Sequence, residues 1–413
     1  MPAALRLPGS RLRLSDAATP PGLLTAPGFA RLWGAGAISN TMLWLELLAA
    51  GLFTLQATGS GLAVALVSAA RGLPLLASGA LVGVLAEALD RKRIVLGGLL
   101  LTGASSGAVS LLGFFGVARP WHLAVGALVS GLVYATEYPA RRRMIAECAG
   151  PLRMGRAVAL DSLTGFCARA AGPLLGGAAF GALGLGGTFG ASALLSLLGA
   201  AAIAGLPHVQ QRRPVSFRHV RGDLLEGLAF ARRSRKMLLL LGVTVVMNLF
   251  GYAYTTLMAP IGREAYALSP AGVGVLAAAE PAGAFCSGVL MTAVAIPGRP
   301  PVWLAGGASG LLLALAAAPF LPPFWPVCAV LLLGGLGSGI YTNAQTILAM
   351  TAPAALRSRV MGLLTVCIGS WPVGQIFVGL LTTKMPPLAA MSALGASGLL
   401  ALAGVVIVCR TVR

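Results

Sequence analysis

The sequence is poor in charged residues, and acidic residues are the scarcest of them. Only 10% of the 413 residues are Asp, Glu, Lys or Arg, only 11 are acidic, and 57% are hydrophobic. Such a composition cannot supply the polar surface that a soluble domain of this length needs. It therefore excludes an ordinary soluble protein and indicates a membrane protein, in which about 20 apolar residues cross the hydrocarbon core as one helix.

Histidine and cysteine are also scarce. The chain has three histidines and six cysteines, which show neither a CxxC motif nor the Cys/His spacing of a metal site. A glycine-rich run at 334–339 lacks both a lysine and a preceding strand, so it is not a nucleotide-binding loop. We expect no enzyme, no metal site and no cofactor.

Apolar runs fill most of the chain. They lie at roughly 30–56, 61–87, 94–117, 121–140, 156–182, 184–206, 237–262, 270–296, 301–320, 324–350, 358–383 and 387–409. This pattern predicts an all-α membrane protein with twelve transmembrane helices (spans 1 to 12) in two pseudo-symmetric six-helix bundles. The bundles are residues 30–206 and 237–413, joined by a basic linker over 207–236 and preceded by an N-terminal tail over 1–29.

The net charge of +19 has a simple explanation in such a chain. In a soluble protein it would suggest nucleic-acid binding, but here most basic residues fall in alternate loops between the predicted spans, which is typical of cytoplasmic loops. The pattern predicts a multi-pass protein of the inner (cytoplasmic) membrane, with both termini and the linker in the cytoplasm. It does not predict a nucleic-acid partner.

The loop after span 2 carries a motif. Its sequence, Gly83-Val-Leu-Ala-Glu87-Ala-Leu-Asp90-Arg91-Lys92, resembles the G-x-x-x-D-[RK]-x-G-[RK]-[RK] signature of the major facilitator superfamily. Gly83, Arg91 and Lys92 match, Glu87 replaces the signature Asp, and the positions of Ala88 and Asp90 depart from the pattern. The resemblance implies a transporter fold of two six-helix halves.

Three further stretches resemble the enterobactin-exporter and macrolide-efflux branch of that superfamily. They are Arg71-Gly-Leu-Pro-Leu-Leu, the segment from Pro139 to Glu147, and Arg359-Val-Met-Gly-Leu. In the superfamily, the acidic residue of the signature loop holds the cytoplasmic ends of spans 2 and 11 together. The resemblance implies this gating role for Glu87, at the positive N-terminal end of the helix near Arg357. The alternative is that the basic residues of the loop only fix topology.

Span 5 contains a second motif. Gly172, Pro173, Gly176 and Gly177 match the G-P-x-x-G-G ending of a motif associated with export by antiporters. The resemblance favours export over import. Small residues also let helices approach closely, so simple tight packing is the alternative explanation.

Four ionisable residues fall near the middle of predicted spans: Glu46, Arg71, Arg169 and Glu280. Such residues are costly in hydrocarbon and usually face a cavity or a partner. A carboxyl group in apolar surroundings can bind and release a proton as its solvation changes. We therefore expect Glu46 or Glu280 to couple transport to protons, although Glu46 could instead be a protonated acid satisfied within its bundle.

Two relations link these charges. A shift of 209 residues aligns the halves and places Arg71 on Glu280. In the implied fold, spans 5 and 8 pack against each other across the two halves, so Arg169 and Glu280 should meet as a charged pair. For Arg169 and Arg71, a purely structural role is the alternative.

Polar and aromatic side chains on spans 1, 7 and 10 predict a substrate cavity, although aromatic residues at helical spacing also occur in ordinary packing. The candidates are Asn40, Trp44, Asn248, Tyr252, Tyr254, Tyr341, Asn343 and Gln345.

The leading functional hypothesis is a monomeric, proton-coupled exporter of an amphiphilic small organic molecule, such as a drug-like compound or a siderophore. Its partners would be that substrate, protons and the lipid bilayer. An uptake carrier for such a solute and a lipid flippase on the same fold are the alternatives.

The charge pattern makes a topology prediction. On a cysteine-free background, single cysteines near residues 184 and 322 should react with an impermeant thiol reagent added to intact cells. Cysteines in the 207–236 linker should react only after permeabilisation. Labelling of the linker from outside would contradict the predicted orientation.

Overall fold

The computed structural model describes residues 22–25, 28–77, 90–150, 152–206, 220–293, 298–353 and 356–411. Its α-helices are α1 (Phe29–Thr58), α2 (Gly61–Ala70), α3 (Arg91–Phe114), α4 (Pro120–Ala149), α5 (Met154–Ala204), α6 (Val220–Arg232), α7 (Arg235–Val246), α8 (Pro270–Ala293), α9 (Pro300–Ala317), α10 (Trp325–Met350), α11 (Arg357–Ile368), α12 (Trp371–Thr382) and α13 (Pro387–Thr411). Among the described residues, nine helical segments are long and apolar enough to cross a membrane. The predicted all-α membrane fold is confirmed.

The long helix α5 is bent back on itself. Its 51 residues would extend about 77 Å at 1.5 Å per residue, more than twice the thickness of the hydrocarbon core. The helical geometry is interrupted at Gly184, where φ is 64° and ψ is −168°. Glycine adopts this positive φ without the steric cost that a side chain would add.

Contacts with α1 show that the chain reverses at this glycine. Before it, α5 runs parallel to α1, because Trp33 contacts Thr164 and Leu45 contacts Gly176. After it, the direction is opposite, because Glu46 contacts Ser192 and Ala35 contacts Gly199. The two parts of α5 therefore coincide with predicted spans 5 and 6.

Span 7 is irregular, although the sequence pattern predicts a regular helix over 237–262. After α7 the chain forms a π-helical turn (Met247–Gly251), a 3-10 stretch (Ala253–Leu257), one α-helical turn (Met258–Pro260) and a second π-helical turn (Ile261–Ala265). Span 11 is likewise divided into α11 and α12. Such local changes of helical pitch alter which side chains share a face, and they are frequent at functional sites.

The two halves repeat one backbone contact. A Cβ atom on Gly131 of α4 would overlap the main-chain oxygen of Arg71, and a Cβ atom on Gly335 of α10 would overlap that of Glu280. Arg71 and Glu280 are the residues that the 209-residue shift aligns. In each half a glycine of the fourth span thus lets the backbone of the second span approach closely at the position that the shift aligns.

Glycines also bring the two halves together. At Gly177 of α5, an added Cβ would overlap the oxygen of Pro270 and lie 3.0 Å from Gly274 of α8. Gly379 of α12 packs against Ala65 of α2, where an added Cβ would overlap the side-chain Cβ of that alanine. Both crossings lie toward the membrane end that the charge pattern predicts to be external, so the halves are in close contact at that end.

The polar end of α4 corrects the sequence-based boundary. The apolar run ends near residue 140 and places the three arginines that follow in a loop, but α4 continues to Ala149. Arg141 is only 1% exposed and pairs with Glu137 at 2.7 Å and with Asp161 of α5 at 2.5 Å. The arginine can remain inside the bundle because a carboxylate of α4 and a carboxylate of α5 both form charge-assisted hydrogen bonds with it.

The stretch predicted as a linker contains the helix α6. Glu226 of α6 accepts a hydrogen bond from Arg359 of α11 at 2.6 Å, and Gly227 packs against the same arginine. The described part of this stretch is therefore docked on the C-terminal half.

The α5–α8 crossing can be tested with two matched substitutions. Gly177→Ala places a methyl group against the α8 backbone and should lower the thermal unfolding temperature of the detergent-purified protein. Gly165→Ala, on the same helix, meets no atom within 4 Å and should preserve or raise it, because alanine favours a helix over glycine by about 1 kcal/mol. Equal effects of both changes in circular-dichroism melts would contradict this close contact.

Candidate functional site

An ion pair joins the two halves near the middle of the predicted spans. Arg169 of α5 donates from Nη2 to Oε2 of Glu280 of α8 at 2.7 Å, and the hydroxyl of Tyr254 donates to the same oxygen at 2.9 Å. The predicted contact between Arg169 and Glu280 is confirmed. Glu280 is completely buried, and its other oxygen, Oε1, has no hydrogen-bond partner in the described part of the structure.

Aromatic rings hold the guanidinium of Arg169 in place. Its Cζ lies 5.6 Å from the ring centre of Trp44 on α1 and 5.0 Å from that of Tyr252. A guanidinium over an aromatic face gains roughly 0.5–2 kcal/mol, with the larger values at desolvated sites. The arginine therefore touches α1 and span 7 as well as its carboxylate partner.

The irregular turns of span 7 explain how two tyrosines reach this pair. In a regular α-helix, side chains two positions apart are separated by about 200° around the helix axis, so they point to nearly opposite sides. Tyr252 and Tyr254 nevertheless both contact the Arg169–Glu280 pair, because the π-helical and 3-10 turns lie directly around them. The sequence identifies both tyrosines as candidates, but it contains no signal for the change of pitch that brings them together.

A cavity between the halves lies beside the ion pair. Residues of both halves line this central cavity, among them Trp44, Arg169, Thr255 and Pro281. Its volume is about 40 Å³, which holds a water molecule or two but not an organic ligand, since ligand pockets are typically about 300–1,000 Å³. This conformation is closed around the site.

Glu46 faces the interior of the N-terminal half. Its Oε1 accepts hydrogen bonds from Ser106 of α3, at 2.5 Å, and from Ser192 in the second part of α5. Nearby, Arg71 donates to the main-chain oxygen of Leu43 and to Ser130. Glu46 and Arg71 thus form their hydrogen bonds mainly with hydroxyl and backbone groups. Neither residue bonds to the Arg169–Glu280 pair in these contacts.

The predicted cavity residues divide into three groups. Trp44, Tyr252 and Tyr254 surround the ion pair, whereas Asn40 lines a cavity inside the N-terminal half. The others bond within the C-terminal half: Gln345 donates to Thr244 and to Tyr341, and the amides of Asn248 and Asn343 donate to backbone oxygens on their own helices.

Of the signature loop, Gly83 and Glu87 lie outside the described residues. Asp90 caps the start of α3 by accepting from the backbone N–H of Arg93 at 3.1 Å. Arg91 pairs with Glu147 at the end of α4, and Lys92 donates to the main-chain oxygen of Ala204 in α5. These residues tie together helix ends within the N-terminal half, and the gating role of Glu87 stays a prediction.

The span 5 motif packs against two neighbours. Gly172 and Gly176 face α1, where an added Cβ would meet Trp44 or Leu45, and Gly177 faces α8. Pro173 lies one turn after Arg169, and its oxygen approaches Gly274. The motif thus positions the arginine between α1 and α8.

Sequence reasoning missed the cluster formed by Glu137, Arg141 and Asp161. One signal was present, because Glu137 and Arg141 are four residues apart and therefore share a helix face. The contribution of Asp161 could not be inferred from the sequence, since it depends on how α5 packs against α4.

The ion pair can be tested by a double-mutant cycle. Glu280→Gln or Arg169→Met alone leaves one buried charge without its partner and should destabilise the protein by about 3–5 kcal/mol. The double variant removes both charges and should be more stable than at least one single variant. Thermal unfolding in detergent measures the cycle, and strictly additive effects would contradict a direct interaction.

The comparisons with known proteins agree with this geometry. Residues 18–413 match the model of the transmembrane secretion effector family. No curated protein matches the sequence.

Similar solved structures include a mutant of the peptide transporter POT with alafosfalin (14% identity, TM-score 0.71, 93% of this chain and 94% of that chain). They also include a mutant of the nucleoside transporter NupG (14%, 0.66, 93% and 99%). A third is a bacterial homologue of the human lysosomal transporter Spinster, inward-facing and unoccupied (17%, 0.63, 92% and 94%). At these identities they show the fold alone. The chain belongs to the transmembrane secretion effector family and is a membrane transporter of the major facilitator superfamily.

Proposed function

We propose that this transporter is a proton-coupled exporter of an amphiphilic small organic molecule, such as a drug-like compound or a siderophore, in the inner membrane. The two halves would rock about the central cavity, so that it opens alternately to each side. The observation that carries the proposal is the Arg169–Glu280 ion pair, which crosses from one half to the other beside that cavity.

The lining of the central cavity suits an amphiphilic substrate. Its residues are largely apolar, while Trp44 offers a ring and Thr255 and Thr256 offer hydroxyl groups. Among the described residues that line the cavity, Arg169 is the only charged one, at 16% side-chain exposure. A substrate that enters would disturb the contacts of this arginine, and so would loosen the ion pair that holds the halves together.

Two observations favour export. The matched family is described as transmembrane secretion effectors. In addition, the Gly172–Gly177 motif of α5, which resembles that of export antiporters, packs directly on α1 and α8 around the ion pair. The similar folds include peptide and nucleoside transporters, so a direction assay must distinguish export from uptake.

Proton coupling is assigned to Glu46. It is a buried carboxyl on α1, the same helix that presents Trp44 to Arg169. Because Glu46 faces the N-terminal half and not the central cavity, the proton and the substrate would not compete for one site. Protonation would instead act through the position of α1.

Transport assays test the coupling. In liposomes with an imposed pH gradient, and with a panel of amphiphilic fluorescent dyes as substrates, Glu46→Gln should abolish gradient-driven dye movement and retain dye binding. Glu264→Gln changes an exposed acid at the end of span 7 and serves as the control that should keep the wild-type rate.

Inverted and right-side-out vesicles report direction in the same assay. Gradient-driven accumulation of dye in inverted vesicles is expected for an exporter. Unchanged transport by Glu46→Gln would move the coupling role elsewhere, and dye uptake only into right-side-out vesicles would contradict export.

A further inference from the structure

Two small polar cavities lie on either side of Glu46 within the N-terminal half. The first is lined by Glu46, Arg71 and several hydroxyl groups, and the second extends from Glu46 to Glu137. Thr102 and Ser130 line both, so the cavities adjoin. Each has a volume of about 30 Å³, more than the roughly 10–15 Å³ that one water molecule needs, and each offers polar partners for water.

The second cavity shares no lining residue with the central cavity and is separate from it, whereas the first adjoins the central cavity through Leu47 and Ser68. The lining residues of the two small cavities all belong to the N-terminal half, whereas the central cavity is lined by both halves. On α1, Trp44 and Leu48 line the central cavity and are each two residues from Glu46, which is about 200° around the helix. Helix α1 therefore separates the central cavity from the second cavity.

The second cavity leads from Glu46 to a cluster of charges. Along α1 it passes Asn40 and Ser39, a distance of about 10 Å at 1.5 Å per residue. On α4 it passes Tyr134 and reaches Glu137, one helical turn further on. Beyond the cavity, Glu137 accepts from Arg141, which also bonds to Asp161. This cluster lies toward the end of the bundle that the charge pattern predicts to be cytoplasmic.

The groups around Glu46 are suited to passing protons. Arg71 faces it from the segment after α2, Tyr134 lies on α4, and Ser106 and Ser192 donate to it from α3 and α5. Hydroxyl groups and water can each donate and accept a hydrogen bond, so a chain of them can carry a proton between two carboxylates. Such a transfer makes and breaks only O–H bonds.

We propose that the second cavity forms a hydrated proton route inside the N-terminal half, which connects Glu46 with the Glu137–Arg141–Asp161 cluster without passing through the central cavity. The inference rests on the proposed proton coupling through Glu46. In the conformation described, the halves are in contact at the predicted external end, and the route leads to the opposite end. It is therefore the path by which a proton leaves Glu46 toward the cytoplasm.

Infrared difference spectroscopy tests the route without any transported substrate. The full-length protein in liposomes is changed from H₂O to D₂O at a pH where Glu46 is protonated. The carboxylic C=O band of Glu46 is identified as the band that Glu46→Gln removes. The measured quantity is the rate at which this band shifts as deuterium replaces the proton.

Two variants should slow the exchange and one should not. Tyr134→Phe removes a hydroxyl from the route and Asn40→Leu removes its amide, and each should slow the exchange about tenfold, the effect of roughly 1.4 kcal/mol. Thr255→Val removes a hydroxyl from the central cavity and should leave the rate unchanged. Thermal unfolding confirms that each variant folds, and if Asn40→Leu does not, Tyr134→Phe carries the test.

Three results would overturn the route: no band lost in Glu46→Gln, equal exchange rates in the wild type and both route variants, or slower exchange only in Thr255→Val. The last result would place proton access in the central cavity. Slowed exchange in the route variants, together with wild-type transport by Glu46→Gln in the vesicle assay, would retain the hydrated route and refute the coupling role.

Discussion

The closed arrangement of the two halves depends on the contact between Arg169 and Glu280. In hydrocarbon, each of these charges alone would cost at least a few kcal/mol, so the lowest-energy arrangement keeps α5 and α8 at the depth where the two side chains meet. Tyr254 adds a third group to the same carboxylate oxygen. An opening of the cavity must replace these interactions with water, substrate or a proton. The pair therefore stabilises the closed arrangement that the structure describes.

Helix α1 connects the two candidate sites. One of its faces presents Trp44 to Arg169, and the other presents Glu46 to Ser106 and Ser192. Gly172 of α5 removes the side-chain bulk that would otherwise separate α1 from α5. A small rotation or shift of α1 would consequently change both the ion pair and the surroundings of Glu46. This shared helix offers a physical link between protonation and opening that needs no common binding site.

Much of this architecture can be predicted from the sequence. Apolar runs predict the spans because each helix must hide its backbone polar groups from lipid. The Arg169–Glu280 contact is predictable because two opposite charges lie at similar depth on spans that the implied fold makes antiparallel neighbours. The glycines at Gly131 and Gly335 are less informative in sequence, since 56 glycines are spread along the chain and only the structure shows which ones touch a backbone.

Other features could not be predicted, for physical reasons. The buried position of Arg141 depends on two carboxylates and on Gly36, whose missing side chain leaves space for the guanidinium. A count of apolar residues along the sequence registers only the charge of Arg141, and it therefore ends span 4 too early. The π-helical turns of span 7 lie before and after Tyr252 and Tyr254, and no residue pattern within the span predicts them. Tertiary contacts thus determine the details that matter most at the site.

We expect the ion pair to keep the halves closed at the predicted external end. Spin labels at Ala57 and Lys384, one in each half at that end, report the separation by double electron–electron resonance on a background without the six native cysteines. With Glu280→Gln, the distance distribution should gain a longer component that the parent protein lacks or populates less. Identical distributions in the parent and in Glu280→Gln would show that the halves stay together without the pair, and would contradict the account.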